Sequence, residues 1–288
     1  MPLSSVSRAF AVERRQGCRM PRLSVNRKGA RRALSAWAFN QRFLALFLKR
    51  DHVVCLGDSH VKVMRYVRIP GVWFSVRPLK GATASGVLNP SSKTQSLATF
   101  TSRLQRAKRW QPIILQLGEV DCGFVIWHRA ARRGLSIDGQ LAYTLDSYAT
   151  FIENVIGMGF ERVIILSAPL PTIGDMQSEW GGSVASLRTE VTATKSERTG
   201  LTLRFNNGLR ERCESIGATF VDVTTGHLDP STGEIDPRFV RETRRNHHLA
   251  DEPYARLIAA ELSQLWKEPL PRAVPPREHP SRSLRSRA

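Results

Sequence analysis

The stretch VVCLGDSHV, Val53 to Val61, decides how the rest of the chain is read. An apolar run with one cysteine leads into Gly57, and three polar residues follow: Asp58, Ser59 and His60. A short continuous apolar run that ends at a glycine is the pattern of a strand buried on both faces. Strands of that kind belong to parallel sheets covered by helices on either side. At the end of such a strand Ser59 is either a reactive hydroxyl or an ordinary helix cap with His60 on the surface.

Working outward, further short apolar runs occur at 72–76 (VWFSV), 112–118 (PIILQLG), 162–168 (RVIILSA) and 219–223 (TFVDV). All but the first of these are continuous rather than alternating. Stretches of helical length separate them. Residues 96–110 set Leu97, Phe100, Leu104 and Ala107 on one face. Residues 139–159 do the same with Leu141, Leu145, Tyr148, Ile152, Val155 and Ile156. A helical stretch from Ser183 to Gly217 is expected to break near Gly200. The last, 251–266, repeats the helical spacing through Tyr254, Ile258, Leu262 and Leu265, with Asp251 expected as its N-cap and Pro253 in its first turn. Five alternations of strand and helix predict an α/β fold, a three-layer α/β/α sandwich on a five-stranded parallel sheet.

In such sheets ligands bind beyond the carboxyl ends of the strands. The segments after each run should then share one rim: Asp58-Ser59-His60, RPLKGATASG (77–86), GEVDC (118–122), PLPT (169–172), and an excursion reaching RRNHHL (244–249). A hydroxyl, two carboxylates and a histidine pair converge there. These are the groups an acyl-transfer site needs: a nucleophile, a base to activate it, and a group to orient the base.

The chain of 288 residues has a net charge of +18, which invites a nucleic-acid reading. The distribution argues otherwise. Residues 1–50 carry 12 Lys/Arg against one Glu, and residues 267–288 six against two, so 51–266 is nearly balanced. A neutral core without a nucleic-acid motif predicts no specific nucleic-acid partner. Residues 1–50 read as a basic, largely disordered extension, 51–266 as the catalytic domain, and 267–288 as a Pro/Arg-rich disordered tail. No apolar run reaches ~18 residues, so no transmembrane segment is expected. Cys18, Cys55, Cys122 and Cys213 are widely spaced with no CxxC pair. That spacing predicts neither a structural zinc site nor a disulfide framework, and suits a cytoplasmic setting. Oligomeric state is not legible.

Four segments in order, GDSH, GATA, LGEVDC and HHL, resemble the blocks of the SGNH/GDSL hydrolase family, over roughly 51–266 and closest to a bacterial branch. The resemblance implies a flavodoxin-like fold, no metal and no cofactor. It implies that Ser59 is the nucleophile and that Gly81, with Ser59 itself, supplies backbone oxyanion donors. Gly118, Glu119 and Asp121 match the third block, usually Gly-x-Asn-Asp, but Val120 stands where the family has its Asn donor. The fourth block is usually Asp-x-x-His. Counting back from His248 gives Arg245, and from His247 gives Arg244, neither of which can orient an imidazole. His248, directly before apolar Leu249, fits the catalytic histidine, with His247 beside it. Asn246 and Asp251 are the candidate orienting groups. The expected function is a serine esterase or acyltransferase acting on a small-molecule or carbohydrate acyl ester through an acyl-Ser59 intermediate. Two alternatives stand beside it: a catalytically degenerate glycan- or partner-binding protein, and a metal-dependent phosphoesterase built from Asp58, His60, Asp121, the GHLD segment (226–229) and Asn246-His247.

Overall fold

The computed structural model describes residues 51–175, 191–241 and 247–267, all within one compact unit. The two terminal segments and Asn246 lie outside the described residues, as does the expected helix before residue 191.

The five apolar runs become five parallel strands: β1 Asp51–Gly57, β2 Val72–Pro78, β3 Ile113–Gln116, β4 Val163–Leu166 and β5 Thr219–Val221. Their order across the sheet is β2-β1-β3-β4-β5. The chain steps from β1 outward to β2, then returns past β1 to build the other half. The order therefore reverses between β1 and β3, which makes the gap beyond their carboxyl ends the topological switch point.

Side chains along β1 alternate between two cores, as the period of two requires. Val54 and Leu56 pack with Leu115 and Ile165 under three helices: α1 (Ser96–Gln105), α3 (Ile137–Gly157) and α4 (Lys195–Ile216). Val53 and Cys55 face the opposite way, with Ile114, Ile164 and Val221. There they meet a six-residue 3₁₀ helix (His60–Arg65) and α5 (Asp251–Leu265). This is the expected three-layer α/β/α sandwich. Fully buried Leu, Ile or Val side chains contribute about 1.5–3 kcal/mol each. Tyr148, Phe205 and Ile258 are completely or almost completely enclosed at the helix–sheet interfaces.

Several local readings are corrected. Ser59 precedes a short 3₁₀ helix, but its side chain makes no capping hydrogen bond to it. Helix α4 runs unbroken through Gly200, started by a reciprocal cap in which Thr194 and Glu197 satisfy each other's backbone. Added cap bonds and tertiary packing outweigh the roughly 1 kcal/mol propensity cost of one glycine. Asp251 is not the cap of α5. Ala250 occupies that position, while the Asp251 carboxylate, in the first turn, accepts from Arg241 at 2.5 Å. A π-turn (Asp121–Val125) leading into α2 (Ile126–Arg133) follows β3, and a small antiparallel hairpin joins Leu228–Asp229 to Glu234–Ile235. Neither is marked by a distinctive apolar period.

Candidate active site

Gly57 ends β1 because nothing larger fits. A Cβ there would lie 2.1 Å from the Gln116 carbonyl oxygen of β3. This close approach brings Asp58 over the switch point, where its N–H donates to the same carbonyl at 3.3 Å. Asp58 Oδ1 then accepts from the His60 backbone N–H at 2.7 Å and lies 3.1 Å from His60 Nδ1. The residue between them, Ser59, is 5% exposed and stands at the mouth of a pocket. Among the described residues, no hydrogen bond engages Ser59 Oγ.

His60 is 4% exposed, not on the surface. Its Nε2 lies 3.1 Å from the His247 carbonyl oxygen and 3.7 Å from Glu119 Oε2. Both ring nitrogens therefore face oxygen acceptors, a pattern only the doubly protonated ring satisfies. Burial opposes that charge, but the Glu119 and Asp58 carboxylates and the hydrogen bonds outweigh it, raising the imidazole to about 9. His60 is thus a buried cation at neutral pH.

His247 and His248 close over His60. The ring centroids of His60 and His248 are 4.7 Å apart, those of His60 and His247 5.3 Å, and those of the adjacent pair 4.1 Å. Ser59, His60 and His248 share one pocket of about 240 Å³ with Tyr66, Arg241 and Asp251, and Lys62 and Arg65 on its rim. Asp251 reaches this pocket as the partner of Arg241, which also donates to the Leu249 carbonyl at 2.8 Å. The sequence reading brought together Ser59, His247, His248 and Glu119. It placed His60 on the rim and in the ligand set of the metal-dependent alternative, but gave it no part in the esterase site, where it is central.

The third-block residues divide in role. Gly118 has φ +122°, and a Cβ on it would meet Phe205 at 2.4 Å, so the turn after β3 requires glycine. Glu119 turns toward His60. Asp121 is fully buried and holds a neighbouring turn: its carboxylate accepts from the Ala84 N–H at 2.6 Å and the Ser85 N–H at 3.1 Å. Burial outweighs these bonds and raises its carboxyl to about 6. Asp121 thereby fixes the GATAS turn that carries Gly81, itself at φ +77°. Val120 is half-buried and lines a separate cleft with Glu119, Phe124 and Arg198.

Asn206 of α4 ties the far half of the rim together, a role its sequence context did not reveal. Its amide donates to the Ala168 carbonyl at 2.9 Å and Thr224 Oγ1 at 3.0 Å, and its oxygen accepts from the Ala168 N–H at 2.8 Å. The GHLD residues do not join Asp58 and His60 as metal ligands. His227 is fully buried, with Nδ1 2.6 Å from the Val223 carbonyl and Nε2 accepting from the Leu170 N–H at 3.2 Å. Asp229 accepts from Ser231 at 2.7 Å.

The fold is thus a five-stranded parallel α/β/α sandwich, with its candidate site at the switch point. Solved structures resemble it. A Streptococcus pneumonia protein named for platelet activating factor is 15% identical, with 82% of this chain and all of that chain covered, at a TM-score of 0.51. A GDSL-like lipase from Bacteroides thetaiotaomicron is 17% identical over 76% of this chain and 89% of its own, at 0.48. A carbohydrate acetylesterase family member from Sinorhizobium meliloti is 12% identical over 75% and 97%, also at 0.48. At such identities the likeness is one of fold. No family model and no curated protein matches the chain. Among the described residues no helix is long and apolar enough to cross a membrane.

Proposed function

We propose that this chain is a serine ester hydrolase or acyltransferase of the SGNH/GDSL type, acting in the cytoplasm on a small-molecule or carbohydrate acyl ester. The observation that carries the reading is Ser59, at the carboxyl end of β1, sharing one pocket with His60 and His248. Ser59 Oγ attacks the ester carbonyl while His248 takes its proton, forming a tetrahedral oxyanion. The N–H groups of Ser59 and Gly81 receive that oxyanion, and the His60 cation adds positive charge beside it. As the intermediate collapses, His248 returns the proton to the leaving alcohol, leaving Ser59 acylated. Water then hydrolyses the acyl-enzyme, or a second hydroxyl takes the acyl group, with His248 again as base.

The test is labelling by a fluorophosphonate probe, together with turnover of an activated ester by Ser59→Ala, His248→Ala and His247→Ala. Labelling at Ser59, and loss of turnover in Ser59→Ala and His248→Ala, are expected. If His247→Ala abolishes turnover and His248→Ala does not, the base is His247. If neither histidine matters, the serine-hydrolase reading fails. A binding protein on the same fold is the second reading, favoured by Val120 in place of the third-block amide donor. An inert, unlabelled Ser59 would support it.

A further inference from the structure

The ligating nitrogens of His60, His247 and His248 all lie within 4.8 Å of one another. We propose that these three imidazoles form a binding site for a borderline divalent transition-metal ion, of which Zn²⁺ is the representative, and that metal occupancy switches off Ser59. The second statement rests on the esterase reading, whereas the first does not.

Zinc binds imidazole nitrogen at about 2.0–2.1 Å, which sets tetrahedral ligands roughly 3.3 Å apart. The largest present separation must therefore close by about 1.5 Å, a distance within reach of small side-chain rotations. His60 is already arranged as a ligand. Asp58 engages Nδ1 at 3.1 Å, leaving Nε2 on the side of His247, whose carbonyl oxygen it meets at 3.1 Å. A carboxylate on the far nitrogen of a ligating histidine fixes the tautomer and strengthens the ligand. Coordination breaks the Nε2–H bond, releases that proton to solvent, and exchanges the contact of Nε2 with the His247 carbonyl for a metal–nitrogen bond. Glu119, 3.7 Å from Nε2, adds a second negative charge next to the ion. Three nitrogen ligands leave a fourth position for water or a substrate oxygen, and the 240 Å³ pocket opens beside it.

An all-nitrogen set selects zinc, copper or nickel over magnesium, which prefers oxygen donors. A metal held by His248 occupies the lone pair that would take the Ser59 proton, so bound enzyme loses its general base.

The experiment uses the full chain without a polyhistidine tag, stripped with a chelator, and measures Zn²⁺ uptake by equilibrium dialysis and elemental analysis. One equivalent per chain is expected for the wild type and for Ser59→Ala, and none for Mg²⁺. His247→Ala and His248→Ala should each lose stoichiometric binding, whereas His128→Ala, outside the cluster, should keep it. Asp58→Asn should bind about 10–100-fold more weakly. Circular dichroism of each variant separates lost ligation from lost fold, and the pair of partly exposed histidines provides two independent variants. Absence of wild-type binding, or binding that survives both His247→Ala and His248→Ala, overturns the site. Zinc bound at one equivalent with ester turnover unchanged overturns the switch. Because Ser59→Ala reports binding without any esterase activity, failure of the site and failure of the hydrolase reading are told apart.

Discussion

Protonating His227 should destabilise this protein, and His227→Gln should reveal by how much. The ring is fully buried, between Phe239 and Tyr254 at centroid distances of 5.7 and 5.4 Å. Its Nδ1–H donates to the Val223 carbonyl and its bare Nε2 accepts from the Leu170 N–H. A second proton would set a donor against a donor and leave a cation among aromatic rings. Burial therefore lowers the imidazole to about 4, against the weaker opposing pull of the Val223 bond and the Asp222 carboxylate. Between the ordinary value near 6.5 and about 4, the unfolded chain binds the proton and the native chain does not. Stability from this group is complete above pH 6.5 and falls as pH drops, by about 1.4 kcal/mol per unit and about 3 kcal/mol in all. Glutamine also carries a donor and an acceptor but does not titrate. The free energy of unfolding, measured in urea at several pH values from 7.5 to 4, should show the wild-type advantage over His227→Gln shrinking by about that amount. A wild-type advantage independent of pH would refute the assignment of a neutral, bonded His227.

His60 should act in the opposite direction. Its raised value means that its stabilisation is complete below pH 6.5 and is lost as pH rises through about 9, which denaturation of wild type beside His60→Asn would show. Gly118→Ala should lower stability by about 1–3 kcal/mol in thermal or urea melts, since its Cβ would enter Phe205 from a left-handed backbone. Asp121→Ala strands two buried N–H groups at about 1–3 kcal/mol each, so the melting point should fall and ester turnover with it. Val120 lines a cleft separate from the Ser59 pocket, so Val120→Asn should change turnover of an activated ester little; a marked rise would place residue 120 at the oxyanion position after all.

The strands were legible because burial on both faces leaves only one kind of residue to choose. VVCL, IIL and VIIL can hardly be read otherwise, and their order along the chain fixed a parallel sheet. Rim residues were legible for the same reason: a strand's end is visible, and whatever follows it lies on the rim. What the sequence could not display was direction. Asp121 and Glu119 are two residues apart with the same functional group, yet one holds backbone amides of the GATAS turn and the other faces His60. His227 and His60 are both buried histidines driven to opposite charge states by the partners of their nitrogens. Asp251 looked like a cap because it precedes Pro253 at a helix start. The pull of Arg241 from the preceding loop is a tertiary effect with no local sequence mark.

The grip of Asp121 on the turn after β2 has a consequence for how that turn can be rewritten. The carboxylate holds the amide hydrogens at 84 and 85, which any residue but proline supplies, and the Ser85 side chain adds to that hold. The length of this turn is therefore more tightly constrained than its spelling. Swapping Ala84 or Ser85 for another small residue changes a letter and leaves the backbone trace intact. Adding or removing a single residue between Gly81 and Ser85 displaces both amides from the carboxylate at once. A library that varies letters here should give many folded members, and one that varies length should give few.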